Sequence, residues 1–375
     1  MTNIAWRNLA HERTRFAISV AGVALSVVLV VILRALYWGV VQEATRYVRT
    51  SGADLWVAQE GTPGDFLQSR SILPLAAGEA IAAVPGVVGV APLISRPAGF
   101  RVGAKDADLF LLGAPAGGGV GWPEAVRGRD RPLAPGEIAV DRVFAKNFDV
   151  KVGDTLDIGP GGLRVAAVVS GGNAFAYQFA WANLDDVAAI SGAAGFTSYF
   201  LVTVEGGPDV PAEAARHVGD AIVGAVPGTQ VFAGTELADR NSDNLREAFL
   251  PVLWVLVVVA FVVGTAVIGL IIYTATLEKS REYGVLKAIG FSNRRLYAIV
   301  FQQSMVAAMA GFVLGCLLSL GLGPAIEQIV PVFVTEVRWR DVVFAGTGAL
   351  AMAVVASFIP ARPVARLDPA EVFRA

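Results

Sequence analysis

The chain has 375 residues, 55% of them hydrophobic and 17% charged, with a mean hydropathy of +0.59. That balance is too apolar for an ordinary soluble protein, yet it leaves enough polar sequence for a water-facing portion. A net charge of −2 without a basic tract argues against a nucleic-acid binder, and the single cysteine, Cys316, excludes a disulfide within the chain.

A hydrocarbon core ~30 Å thick needs about 20 apolar residues as helix, and four stretches meet that length. Residues 1–15 read as an amphipathic N-terminal segment carrying Arg7, Arg13 and Arg15, and 16–41 as the first span. The run ends "RALYWGV" without a small-x-small cleavage site, so it reads as an uncleaved anchor rather than a signal peptide. Arg34 falls about 27 Å along a helix begun at Phe16. That spacing favours an interfacial residue snorkelling beside Tyr37 and Trp38 over a functional charge inside the membrane.

Residues 42–247 form the large polar insertion. "ADLWVAQ" (53–59), "RVAAVV" (164–169) and "FLVTVE" (200–205) read as strands, and 76–86 and 211–228 as helices stopped by Pro-Gly. The two helix-to-strand units resemble each other, and the Gly- and Pro-rich 104–180 between them suggests a second, mainly β subdomain inserted in the first. "GTELADRNSDNLREAFLPVLW" then leads into the second span, 248–277. Either a helix starts at Pro251, or one helix runs from the insertion into the membrane with a kink there.

Residues 278–295 are charged and helix-like, with Tyr283, Leu286 and Ile289 recurring on one face beside Val285, a stop at Gly290 and an N-cap at Ser292. The plain reading is a positively charged loop on lipid headgroups; a short charged helix with an apolar face also suits docking into a groove of a soluble partner. The third span, 296–322, carries Gly311, Gly315 and Ser319, and Gly323 continues the four-residue spacing. Such a ladder lets helix backbones approach closely, within one subunit or across a dimer. An outer loop at 323–340, a fourth span at 341–361 (uncharged from 342) and a tail at 362–375 complete the chain. Eleven Lys and Arg flank the spans on the side of the termini and the 278–295 loop, against six on the other. Both termini are therefore expected in the cytoplasm and 42–247 outside it.

The sequence holds no G-x-x-x-x-G-K-[ST], no H-E-x-x-H and no G-x-S-x-G, and its two histidines, His11 and His217, read as surface residues. No enzyme site or cofactor site is expected in this polypeptide.

"EKSREYGVLKAIGFSNRRL" resembles the coupling helix of the FtsX/MacB/LolC-type ABC transporter permeases, with its R-E-x-G-x-L-K-A-x-G pattern. The ending "IPARPVARLDPAEVFRA", the entry "AWRNLAHERTRFAISVAGVALSV" and "PGEIAVDRVFAKNFDVKVGDTLDI" are similar to other parts of that family. "SGADLWVAQEGT" and the compact length look most like its DevC-type members. The resemblance implies an α-helical membrane protein with four transmembrane helices (1+3) and an α+β extracytoplasmic domain between the first and second. It implies a homodimer in the bacterial plasma (inner) membrane, with an ABC ATPase subunit holding ATP and magnesium, and membrane lipids around it. A periplasmic adaptor (membrane fusion) protein is a further expected partner; nucleic acid is not. Glu278, Arg281, Glu282, Tyr283, Leu286, Lys287, Ile289 and Gly290 would form the ATPase-docking element, with Arg281, Glu282, Leu286 and Lys287 in direct contact. The implied function is export of a lipid, lipoprotein, glycolipid or amphipathic small molecule. The alternative is mechanical signalling to a cell-wall hydrolase or sensor without transport.

Overall fold

The computed structural model describes residues 13–67, 70–102, 105–123, 132–159, 161–173, 177–207, 211–289 and 291–366. They divide into two compact units. One comprises Met1–Trp38, Phe249–Ile329 and Thr335–Ala375; the other comprises Gly39–Ala248 and Val330–Val334.

The first unit is built from helices long and apolar enough to cross a membrane: α1 (Arg13–Thr50) as far as Trp38, α6 (Gly234–Glu278) from Phe249, α8 (Asn293–Ile329) and α9 (Trp339–Arg366). Runs such as "SVVLVVIL" and "LWVLVVVAFVV" are rich in valine, which favours strands in water. In a hydrocarbon layer each backbone N–H and C=O must be satisfied within its own segment, and the helix meets that demand. Pro251 lies inside α6, so one helix of 45 residues runs from Gly234 rather than a fresh helix starting at the proline. Val23, Val27, Val30 and Val31 of α1, Ala260 and Ile268 of α6, Val300 of α8 and Ala349 and Met352 of α9 form the shared apolar core.

The second unit holds one nine-stranded sheet in the order β11-β1-β10-β3-β4-β8-β5-β7-β6. Its strands are β1 (Leu55–Gln59), β3 (Val87–Val102), β4 (Lys105–Ala114), β5 (Glu137–Asp141), β6 (Thr155–Leu156), β7 (Leu163–Val169), β8 (Gln178–Asn183), β10 (Tyr199–Val204) and β11 (Thr229–Ala233). A separate small ribbon pairs β2 (Leu73–Pro74) with β9 (Phe196–Thr197). The three strands read from sequence are β1, β7 and β10. Pairings β4–β8 and β5–β7 are parallel and the others antiparallel.

Strand periodicity of two sends alternate side chains to opposite faces, and here both faces are covered. Trp56, Phe179, Trp181, Tyr199 and Leu201 join Tyr47 and Val48 of α1 and Leu237 of α6 in one cluster. On the other face the alternate residues split into two clusters. Leu55, Val57, Phe200 and Val202 meet Ile81 of α2 (Ala77–Ala82) and Ile222 of α5 (Ala212–Ala225). Leu109, Leu111, Ile138, Val140 and Ala180 meet Phe144 of α3 (Arg142–Phe148) and Val187 of α4 (Leu184–Ser191). The segments expected as two subdomains thus share one sheet and one aromatic face, and divide only on the opposite face.

Asp141, at the end of β5, caps α3: its Oδ1 accepts from Val143 N at 2.7 Å and its Oδ2 from Gly172 N at 2.9 Å. Burial pushes its carboxyl above the ordinary carboxylate value, opposed by those two backbone donors. Next to Gly172, Asn173 donates from Nδ2 to the carbonyl of Val332, fixing the 330–334 loop to this unit.

Candidate functional site

The charged segment that follows the second span folds as α7 (Ser280–Ala288). Glu278 ends α6 and its carboxylate accepts from Arg15 of α1 at 2.5 Å, so the start of the segment is tied to the first helix. Lys279 occupies the break between α6 and α7, with backbone angles of φ −90 and ψ 12. Glu282 falls in the first turn of α7 and Lys287 in the last, each complementing the helix dipole. Arg281 and Glu282 are exposed. Val285 and Ile289, four residues apart and on one stripe, are 38% and 73% exposed. These two apolar side chains stand in the open beside charges rather than packed against the rest of the chain. Tyr283 and Leu286 are placed within α7, and Gly290 lies outside the described residues. The carbonyl of Ser292 accepts from the N–H groups of Arg295 and Leu296 as α8 begins.

Gly311, Gly315, Ser319 and Gly323 are all buried within this chain. A Cβ on Gly315 would come 2.7 Å from Cβ of Val27 and 2.9 Å from the carbonyl oxygen of Ala24; Gly311 meets Val23 and Val20 in the same way. The ladder's upper half is therefore where α8 presses on α1, and Gly323 faces Thr335.

Arg34, read as an interfacial cation beside Tyr37 and Trp38, also has a carboxylate partner that the sequence did not reveal. Its Nε donates to Oδ1 of Asp341 in the first turn of α9 at 2.5 Å, and its guanidinium lies 4.7 Å from the centroid of the Phe344 ring. Asp341 is completely buried. Beside this pair, Arg338 stacks 4.0 Å over Trp38 and the N–H of Glu336 donates to the carbonyl of Ala35. An ionic contact is what keeps both charges at the edge of an apolar unit, since either alone would carry the full desolvation cost. The sequence signal was present, one charge at an end of each of two spans, but the pairing joins positions 307 residues apart.

Among the described residues no cluster of His, Cys, Asp or Glu could hold a metal ion. Residues 16–219 match the MacB-like periplasmic core domain family, and residues 254–369 match the FtsX-like permease C-terminal family. The chain belongs to the FtsX/MacB-type ABC transporter permeases. This permease is 28% identical over 375 residues to an uncharacterized ABC transporter permease of Mycobacterium tuberculosis (strain H37Rv), covering 98% of each chain. It is 24% identical over 395 residues to the macrolide export ATP-binding/permease protein MacB of Shewanella sp. (strain ANA-3), covering 97% of this chain and 58% of that protein. The solved periplasmic region of MacB from Actinobacillus actinomycetemcomitans is similar at 14% identity and a TM-score of 0.36, covering 54% of this chain and 95% of that one. The permease is a multi-pass membrane protein with four apolar helices and a MacB-like α+β domain between the first and second. The FtsX-like match contains α7, α8 and the part of α6 from Trp254 onward.

Proposed function

We propose that this permease docks a separate ABC ATPase through α7 and transmits ATP-driven movement to its inserted domain, exporting a lipid, lipoprotein or amphipathic small molecule. The observation that carries this reading is α6. One helix of 45 residues has its first residues in the core of the inserted domain and ends next to α7. A push on α7 then moves Glu278 and the helix it ends. Val285 and Ile289 supply the apolar contact, while Arg281, Glu282 and Lys287 set register by charge, as in helix-in-groove recognition. ATP and magnesium belong to the partner. Both termini and α7 lie in the cytoplasm of a bacterial inner membrane, the working unit is a dimer, and a periplasmic adaptor receives the cargo.

The test is the ATPase rate of the purified complex reconstituted in lipid discs, titrated with single- and double-chain amphiphiles. Export expects a saturable rise in the rate with one class of amphiphile. An unresponsive rate together with a co-purifying cell-wall hydrolase would replace export by mechanical signalling.

A further inference from the structure

Between α1, α6 and α9 lies a lateral groove of about 400 Å³ with almost wholly apolar walls, lined among others by Ser26, Val30, Trp254, Phe261, Gly348 and Met352. At mid-span the three helices converge: a Cβ on Gly264 of α6 would stand 2.7 Å from both Sδ of Met352 and Oγ of Ser26. At the other end, Arg34 lies on the stripe of α1 that carries Ser26 and Val30, and covers Phe344 of the groove wall while pairing with Asp341. From Ser26 to Arg34, α1 rises about 12 Å alongside the groove, close to the ~15 Å of one leaflet's hydrocarbon. A helix, about 10–12 Å across with its side chains, is too thick to enter such a slot.

Asp341 engages only Nε of Arg34. Among the described residues the two Nη groups have no acceptor, and the side chain is 28% exposed. A guanidinium with its outer edge open presents paired donors in the geometry that phosphate oxygens accept. We propose that the groove holds one acyl chain of a phospholipid from the leaflet on the inserted-domain side, with the phosphate on the Nη groups of Arg34. The site rests on the spans and not on the export reading, so it stands or falls independently of any ATPase.

The permease in phospholipid discs is exposed to a trace of phosphatidylglycerol with a mid-chain diazirine, irradiated, and its adducts are mapped by peptide mass spectrometry. Adducts concentrate on Val30, Phe261 and Gly348 and their neighbours. Gly348 has open space within 4 Å, so Gly348→Phe fills the groove without displacing backbone and lowers those adducts about tenfold. Gly321→Phe, at an equally open position on α8, leaves them unchanged. Gly348→Leu gives the same loss if the phenylalanine variant folds poorly. A diacylglycerol probe with the same chain labels the groove several-fold more weakly. The proposal is overturned if adducts spread evenly onto Leu317 and Leu320, which are 62% and 61% exposed on α8, or if filling the groove changes nothing. Equal labelling by diacylglycerol would overturn the phosphate contact.

Discussion

Replacing Gly315 by alanine adds one methyl group where α8 meets α1. An ideal Cβ there stands 2.7 Å from Cβ of Val27 and 2.9 Å from the carbonyl oxygen of Ala24. Neither atom is the free end of a flexible side chain, so the helices must part by several tenths of an ångström, and overpacking of this kind costs ~1–3 kcal/mol. Helix propensity acts the other way, since alanine is better than glycine by about 1 kcal/mol in a helix interior. Gly321, on the same helix with nothing within 4 Å, separates the two effects, because Gly321→Ala keeps the gain without the clash. Gly315→Ala is therefore expected to be about 1–3 kcal/mol less stable than Gly321→Ala, read by reversible unfolding of the purified permease in mixed micelles. Because the contact lies within one chain, the difference persists on dilution. Equal stabilities would refute the reasoning. A difference that vanished on dilution would move the ladder to a contact between two copies.

Three further outcomes follow from other contacts. Asp341→Asn keeps an acceptor for Nε of Arg34 but leaves the cation uncompensated; with Arg34 partly exposed, the expected loss is about 1–3 kcal/mol, and Arg34→Gln in the same chain recovers part of it in thermal melts. Asp141 is held above its ordinary carboxylate value by burial, so over that interval the folded state keeps a proton the unfolded chain has lost, and stability falls as pH rises through it. Asp141→Asn removes this pH dependence and costs about 1–3 kcal/mol, because the amide cannot accept from both Val143 N and Gly172 N; melts across acidic pH check both parts. Ile289→Asp places a charge on the exposed stripe of α7 and is expected to weaken ATPase association at least about tenfold, with membrane insertion unchanged by fractionation.

The four apolar helices were legible because span length and the absence of charge are local properties, and β1, β7 and β10 because their apolar runs are bounded by turn residues. The far end of α1 was less so. Residues 42–50 look like the start of a polar insertion, yet Tyr47 is buried among Trp56, Phe66, Phe179 and Trp181 and donates to the carbonyl of Gly121. That helix continues because the sheet offers it an aromatic surface, which no window of sequence contains. Strand order was hidden for the same reason: β4 pairs in parallel with β8 across 63 intervening residues. At the candidate site, the helical character of 280–288 was readable from its periodicity. The pairing of Glu278 with Arg15, and that of Arg34 with Asp341, was not, because each joins residues more than 250 positions apart.

The central claim is that α7 receives a separate ATPase. The most direct measurement is gentle affinity purification of the intact permease from its native membranes, alongside its Ile289→Asp variant, with mass spectrometry of the proteins retained. An ABC ATPase that accompanies the unaltered chain and is lost from the variant is the expected result. An ATPase retained equally by both would remove α7 from the contact, and no ATPase with either would contradict the account.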